Sequence, residues 1–329
     1  MPRRLLATEE RWPLAAAFVI SRGAKTEAQV VVAEITEDGV LGRGECVPYP
    51  RYGETTGGVL DQIADARAAI EAGANRGELQ ELLPPGAARN ALDCALWDLE
   101  ARRSGVPAYA AAGRTRLDPV KTAYSISLGA PEVMAEAAGA SARRPMLKLK
   151  LGGPVNLDLD RVRAVREAAP RARLIVDANE GWSFDVLERL VPELAALDVK
   201  LIEQPIPAGE DAILEGFRSP VPLCADESLH TRAELAACAG RYACVNIKLD
   251  KAGGLTEALG LAMEARASGL MIMIGSMVAT SLSIAPALIL AQGADFVDLD
   301  GPLLLARDRR PGLSIQGSMI EPPPRELWG

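Results

Sequence analysis

Histidine is nearly missing from this 329-residue chain, which has one, His230. That count excludes a two-histidine metal site and argues against a Ser-His-Asp triad. His230 follows Asp226-Glu-Ser-Leu and is expected in the loop or first turn after a strand, as a bystander. Cysteine is also sparse: the five residues, at 46, 94, 224, 238 and 244, show no C-x-x-C spacing. They read as buried thiols of a reducing, cytoplasmic compartment and not as a disulfide framework. Basic excess is absent. A net charge of −8 argues against nonspecific nucleic-acid binding. Long apolar runs are absent too. Trp12–Ile20 is short, contains Pro13 and follows Glu9-Glu-Arg11, so it makes a poor signal peptide and is too short for a membrane span.

What is present is a series of charged residues, each closing a short apolar run. They are Lys148 and Lys150 in Leu147-Lys-Leu-Lys-Leu151, Asp177 after Leu174-Ile-Val176, Glu203 after Leu201-Ile202, Asp226 in Leu223-Cys-Ala-Asp226, and Lys248 in Val245-Asn-Ile-Lys248. Their spacing of roughly 20–30 residues suits one strand plus one returning helix. Repeated βα steps ending in charge place those charges at the C-terminal rim of a parallel barrel, where such folds keep their chemistry. Candidate barrel strands are Thr122–Leu128, Met146–Leu151, Arg173–Asp177, Lys200–Glu203, Leu223–Asp226, Cys244–Leu249, Met271–Gly275 and Phe296–Asp300. Helical stretches such as Leu159–Ala168, Val186–Leu197, Arg232–Ala239 and Leu255–Ala267 lie between them, and the last barrel helix is expected to be missing or short.

The first third differs. The β-branched run Gln29–Thr36, then Glu37-Asp-Gly39, signals a hairpin into Val40–Glu45. Two helices follow, Val59–Glu71 and Ala87–Arg103, the second ended by Gly105 and Pro107. This predicts an α+β capping domain over 1–117, completed by an extended strap at about 305–329, around a barrel spanning 118–304.

Asp177, Glu203 and Asp226 on consecutive strand ends cannot all ionise without a cation, and an all-oxygen set favours Mg²⁺ or Mn²⁺ over zinc. Lys148 and Lys150, two apart, share a strand face. Buried beside a metal, they are expected to have lowered pKa values, as a lysine general base requires near neutrality. Lys248, four strands on, approaches from the opposite side, which suits racemisation or epimerisation. Asp298 and Asp300 share an inward face of the eighth strand and make that position suit an ammonium group rather than phosphate.

Together Lys148-Leu-Lys150, Asp177-Ala-Asn179, Glu203-Gln-Pro205, Asp226-Glu-Ser228, Asn246-Ile-Lys248 and Gly275-Ser-Met277 resemble the enolase superfamily, in its muconate-lactonising subgroup, over nearly the whole chain. The resemblance implies a modified (β/α)₇β TIM-type barrel under an α+β cap, with a lysine base and Mg²⁺. Asp298-Leu-Asp300 resembles the pair with which dipeptide epimerases hold a substrate's α-ammonium group. Ile20-Ser-Arg-Gly23, Pro48–Glu54 and Ala87–Asp98 resemble the L-Ala-D/L-Glu epimerases of murein-peptide metabolism. This implies Lys150 and Lys248 as the (R)- and (S)-face acid/bases and Lys148 as a charged support for the enediolate. It also implies Asp177, Glu203 and Asp226 as metal ligands, Arg22 on the glutamate side chain, and Ser125 and Ser276 at the substrate. Ser125 stands where threonine is frequent. Competing readings are N-acylamino-acid racemisation, o-succinylbenzoate synthesis, cycloisomerisation, or a silent barrel acting as a binding protein. Sugar-acid dehydration is disfavoured by the single histidine. The partner implied is a small dipeptide, with no nucleic acid or membrane; homo-oligomerisation is left open.

Overall fold

Alternating apolar residues and one tight turn build the first unit. In the computed structural model, which describes residues 2–329, strands β1 (Arg4–Ile20), β2 (Gly23–Glu37) and β3 (Val40–Cys46) form an antiparallel sheet in that order. Asp38 and Gly39, both at positive φ (52° and 81°), make the β2–β3 turn that the Asp-Gly signal predicts. Strand β1 extends well beyond the short apolar run Trp12–Ile20 visible in the sequence. Its alternation is broken by Pro13, tolerated because β1 is an edge strand, and its register with β2 shifts between Pro13 and Phe18.

Helices α1 (Thr56–Glu71), α2 (Arg76–Leu82) and α3 (Ala87–Ser104) follow. Nearly every residue of α3 is buried, because it lies between the sheet and the rest of the protein. Gly42 and Gly44 of β3 permit that approach: a Cβ on either would fall 2.4 Å from Ala95 O or 2.1 Å from Ala91 O. Short helix α4 (Ala108–Ala111) and strand β4 (Val120–Lys121) then lead out of this unit.

All eight expected barrel strands form and lie in one sheet. They are β5 (Tyr124–Ile126), β6 (Met146–Lys150), β7 (Arg173–Asp177), β8 (Val199–Glu203), β9 (Leu223–Ala225), β10 (Cys244–Ile247), β11 (Met271–Gly275) and β12 (Phe296–Asp298). Neighbours pair in parallel from β5 to β12. Ala123 N donating to Val297 O, and Leu299 N to Thr122 Oγ1, close the circle. The connections carry α5 (Pro131–Ala140), α6 (Asp158–Ala168), α7 (Phe184–Ala196), α8 (Leu235–Ala239), α9 (Leu249–Ala252), α10 (Leu255–Ala267) and α11 (Ser281–Ala291). After β12 there is only the single turn α12 (Gly301–Leu304), the short last helix expected. Helices α2, α5 and α11 escaped the sequence reading.

The tail forms a small hairpin, β13 (Ile315–Gln316) and β14 (Met319–Ile320), paired with β4. It ends against the first unit, where Trp328 Nε1 donates to Cys94 O and Arg43 Nη2 to Leu327 O.

Inside the barrel, side chains lie in layers. The lower layer is apolar: Ala123, Met146, Ile175, Leu201, Cys224, Cys244, Met273 and Phe296 pack as one cluster. Two residues further along the strands, the inward positions become Ser125, Lys148, Asp177, Glu203, Asp226, Asn246, Gly275 and Asp298. The apolar floor keeps water from reaching this polar layer from below. All five cysteines are buried and unpaired, as expected.

Candidate active site

Strand pairing brings the charged series together. Lys150 pairs in register with Asp177, and Asp177 with Glu203, so consecutive strand ends bring one ammonium and two carboxylates side by side. Lys148 Nζ sits at the centre, 2.6 Å from Glu203 Oε2, 2.7 Å from Asp298 Oδ2 and 3.3 Å from Asp177 Oδ2. Lys150 Nζ lies 2.6 Å from Asp177 Oδ2, and Lys248 Nζ 2.7 Å from Asp226 Oδ2. Lys251, which sequence reasoning missed, adds a second ammonium 2.7 Å from Asp226 Oδ1. Asn246 Nδ2 donates to Glu203 Oε1 at 2.7 Å.

Above this layer is a cavity of about 430 Å³ under the first unit. Lys150, Lys248, Asp226, Ser125, Ser276, Asp298, Asp300 and Arg22 all line it. Lys148, Asp177 and Glu203 lie beneath, almost fully buried. Its roof comes from the first unit: Phe18 and Ile20 of β1, the turn to β2, and Tyr49, Arg51 and Tyr52 of the loop after β3. His230 stands outside the cavity, edge-on to the Tyr52 ring at 4.4 Å.

The electrostatics overturn one expectation. Burial pulls the Lys148 ammonium down, but Asp298, Glu203 and Asp177 outweigh it and push the pKa well up. Lys248 is likewise lowered by burial and raised further by Asp226. The lowering expected for the Lys148–Lys150 pair therefore does not appear at Lys148, because carboxylates surround it. Burial pushes Asp177 up, yet Lys150 and Lys148 bring it down to about 2. Glu203 has no such surplus of lysines, and burial with repulsion from Asp177 raises it to about 7. Asp300 rises to about 7 through burial and the charge of Asp298, although Ser125 N donates to it at 2.6 Å.

Among the described residues no three carboxylates gather around one point in this conformation, because each turns toward a lysine. The chemistry nevertheless fits a hard ion, since Asp177, Glu203 and Asp226 offer oxygen alone. Among the described residues four buried side-chain oxygens without a hydrogen-bond partner cluster here, Asn179 Oδ1, Glu227 Oε2, Asn246 Oδ1 and Asp298 Oδ1, beside Glu203 Oε2, whose close contact is the Lys148 ammonium. Buried acceptors without donors are rare, so this grouping marks a place for positive charge.

Arg22 does reach over the cavity, but its guanidinium is already committed. It lies 2.7 Å from Glu227 Oε1 and 3.1 Å from Glu180 Oε2, and donates to Asn179 O at 2.8 Å. It thus ties the β1–β2 turn to the barrel rim. Lys25, three residues on, lines the same cavity and pairs with no carboxylate among the described residues; its Nζ lies 4.8 Å from the Tyr49 ring centre. The sequence signal for Lys25 was its nearness to Arg22.

The eight-stranded parallel barrel, its antiparallel cap and the lysine–carboxylate layer define an enolase-superfamily protein. Residues 3–113 match the mandelate racemase/muconate lactonizing enzyme N-terminal domain and residues 132–322 the enolase C-terminal domain-like family, and the chain belongs to this family. It is 51% identical to the L-Ala-D/L-Glu epimerase of Escherichia coli K12, covering 95% of this chain and 98% of that one. It is 45% identical to an N-acetyl-D-glutamate racemase of a Pseudoalteromonas species, over 91% and 95%. Among solved structures, an Agrobacterium tumefaciens enolase family member with homology to dipeptide epimerases, bound to sodium and L-Ala-L-Glu, matches with TM-score 0.97 and 52% identity over all of both chains. A dipeptide epimerase from Enterococcus faecalis, complexed with Mg and L-Leu-L-Tyr, matches at 0.91 and 28% over 98% of each.

Proposed function

We propose that this chain is a dipeptide epimerase that inverts the α-carbon of the C-terminal residue of L-Ala-L-Glu. It is an isomerase of murein-peptide metabolism working in the cytoplasm with Mg²⁺, which Mn²⁺ can replace. Residues 1–117 with the tail from about 305 act as the cap, and 118–304 as the catalytic barrel. One observation carries the reading: Lys150 and Lys248 enter the same cavity from β6 and β10, four strands apart in an eight-stranded barrel. Two amines on opposite faces of one carbon can remove its proton on one side and return one on the other.

Asp177, Glu203 and Asp226 would hold the ion, which would supply positive charge to offset that of the substrate's α-carboxylate as its α-proton is removed. Lys150 takes the proton of the (R) epimer and Lys248 that of the (S) epimer, each acting as acid when the other is base. Lys148 stays charged and stabilises the negative charge that develops on the carboxylate oxygens. Asp298 and Asp300 receive the dipeptide's ammonium group, while Ser125 and Ser276 shape the wall around it. Arg22 holds the roof in place, and Lys25 meets the glutamate side-chain carboxylate.

N-acylamino-acid racemisation is the second reading, favoured by the similarity to an N-acetyl-D-glutamate racemase. It leaves the acidic pair Asp298 and Asp300 without a cationic partner from the substrate. Incubating the protein with L-Ala-L-Glu and with N-acetyl-L-glutamate in D₂O and Mg²⁺ decides between them. Faster α-deuteration of the dipeptide supports epimerisation, and faster deuteration of the acylated amino acid overturns it.

A further inference from the structure

The turn that follows Lys248 is held from outside the barrel, by the cap. In α9 the Lys248 carbonyl accepts from Lys251 N and Ala252 N, so the short helix and the Lys248 backbone move as one piece. Adjacent side chains of this turn reach opposite ways. Lys251 points into the barrel to Asp226 and to Asn246 O. Asp250 points out to the cap, where its Oδ1 accepts from Asn90 Nδ2 of α3 at 2.8 Å and from Val47 N at 2.9 Å. Arg89 completes the grip by donating to Ala252 O at 2.8 Å and Gly253 O at 3.1 Å. The approach is close enough to require glycine. Gly253 and Gly254 have φ of +77° and +114°, and a Cβ on them would fall 2.5 Å from Arg89 Nε and 2.4 Å from Asp93 Cβ.

Val47 immediately precedes Pro48–Glu54, the loop that puts Tyr49, Arg51 and Tyr52 over the cavity. Asp250 therefore joins, through one oxygen, the backbone of Lys248 to the start of the roof loop. It is buried and is not among the residues lining the cavity that Lys150 and Lys248 enter. We propose that Asp250 is a positioning residue that sets the depth of Lys248 in the cavity through the cap, so that losing it disables one face of proton transfer and spares the other. Lys150 is held differently: among the described residues its hydrogen-bond partner is Asp177, within the barrel, and its contact with the cap is the face of the Phe18 ring, whose centre lies 5.8 Å from Nζ, with no hydrogen bond to the cap. The inference rests on the epimerase reading above and adds a residue the two-base scheme does not contain.

The test follows α-proton exchange in D₂O with Mg²⁺, separately from L-Ala-L-Glu, the Lys248 face, and L-Ala-D-Glu, the Lys150 face. A shift of an acid/base group by about 1 Å lowers rate by up to about 100-fold. Asp250→Ala should thus cut exchange from L-Ala-L-Glu by about 10- to 100-fold. Exchange from L-Ala-D-Glu should stay within about twofold of wild type and proceed largely with retention. Asp250→Asn keeps an oxygen where both bonds land and should restore most of the lost exchange. Should Asp250→Ala not fold, Asn90→Ala reports the same asymmetry more weakly. The ratio between epimers in one preparation is independent of the amount of folded protein. An equal fall on both faces, or no change in a folded Asp250→Ala protein, overturns the proposal. If wild type exchanges neither epimer, it is the epimerase reading that fails.

Discussion

Replacing Lys25 by methionine separates two cations that sequence alone does not distinguish. In this structure Arg22 is bound by two carboxylates and a carbonyl, whereas Lys25 faces the cavity without an anionic partner among the described residues. A charge-assisted contact to a substrate carboxylate contributes about 1.5–3 kcal/mol. At about 1.4 kcal/mol per tenfold, that is roughly a 10- to 150-fold effect. Lys25 is exposed in the free protein and must lose hydration on binding, which places the expectation near the lower end, at about tenfold. The assay is kcat/KM for L-Ala-L-Glu and for the neutral, similarly sized L-Ala-L-Met. Lys25→Met should lower the first about tenfold and leave the second nearly unchanged. Arg22→Met should act differently. It strands Glu227, already buried with one oxygen unpaired, and frees the β1–β2 turn, so both substrates should suffer to a similar degree. The reasoning is refuted if Arg22→Met removes the glutamyl preference while Lys25→Met changes nothing.

Three further outcomes are expected. Asp298→Asn should raise KM for L-Ala-L-Glu far more than for its N-acetylated analogue, measured by steady-state kinetics, since the carboxylate's proposed partner is the ammonium; equal effects would shift the function toward N-acylamino-acid racemisation. Excess EDTA should abolish turnover and Mg²⁺ or Mn²⁺ restore it, and isothermal titration should detect an ion whose binding is lost in Glu203→Gln; full activity in chelator contradicts the metal assignment. Asp93, buried where α3 meets α10, is raised by burial to about 6, against about 3.9 in an unfolded chain. Its protonation stabilises the folded state fully below pH ~4, and that stabilisation is lost as pH rises through about 6. Melting curves of Asp93→Asn, which cannot ionise, should therefore gain on wild type between pH 5 and 8; a constant difference would show that Asp93 does not ionise there.

The barrel strands and their terminal charges were legible because the pattern is local: a short apolar run, one charge, then a helix. Strand β1 was not, since Glu9, Glu10, Arg11 and Pro13 interrupt its alternation and its regularity comes from pairing with β2. Helix α11 is buried on all eleven residues, so it shows no polar face and no helical period. Nothing next to Gly253 and Gly254 in the sequence explains them, because the Arg89 and Asp93 side chains that demand them come from α3, some 160 residues earlier. The Lys148 pKa went the other way because sequence shows that carboxylates are near but not that they turn toward its amine. Lys25, Asp250 and Lys251 take their meaning from distant partners in the same manner.

The opposed action of Lys150 and Lys248 on the two faces of one α-carbon is the core of the proposed mechanism. It is tested most directly by deuterium incorporation from D₂O into L-Ala-L-Glu and L-Ala-D-Glu with Mg²⁺, in wild type, Lys150→Ala and Lys248→Ala. Wild type should label and interconvert both epimers. Each variant should lose inversion, with Lys150→Ala still able to label only the (S) epimer and Lys248→Ala only the (R) epimer. Inversion at near wild-type rate in both variants, or labelling of both epimers by one of them, would contradict the two-base arrangement.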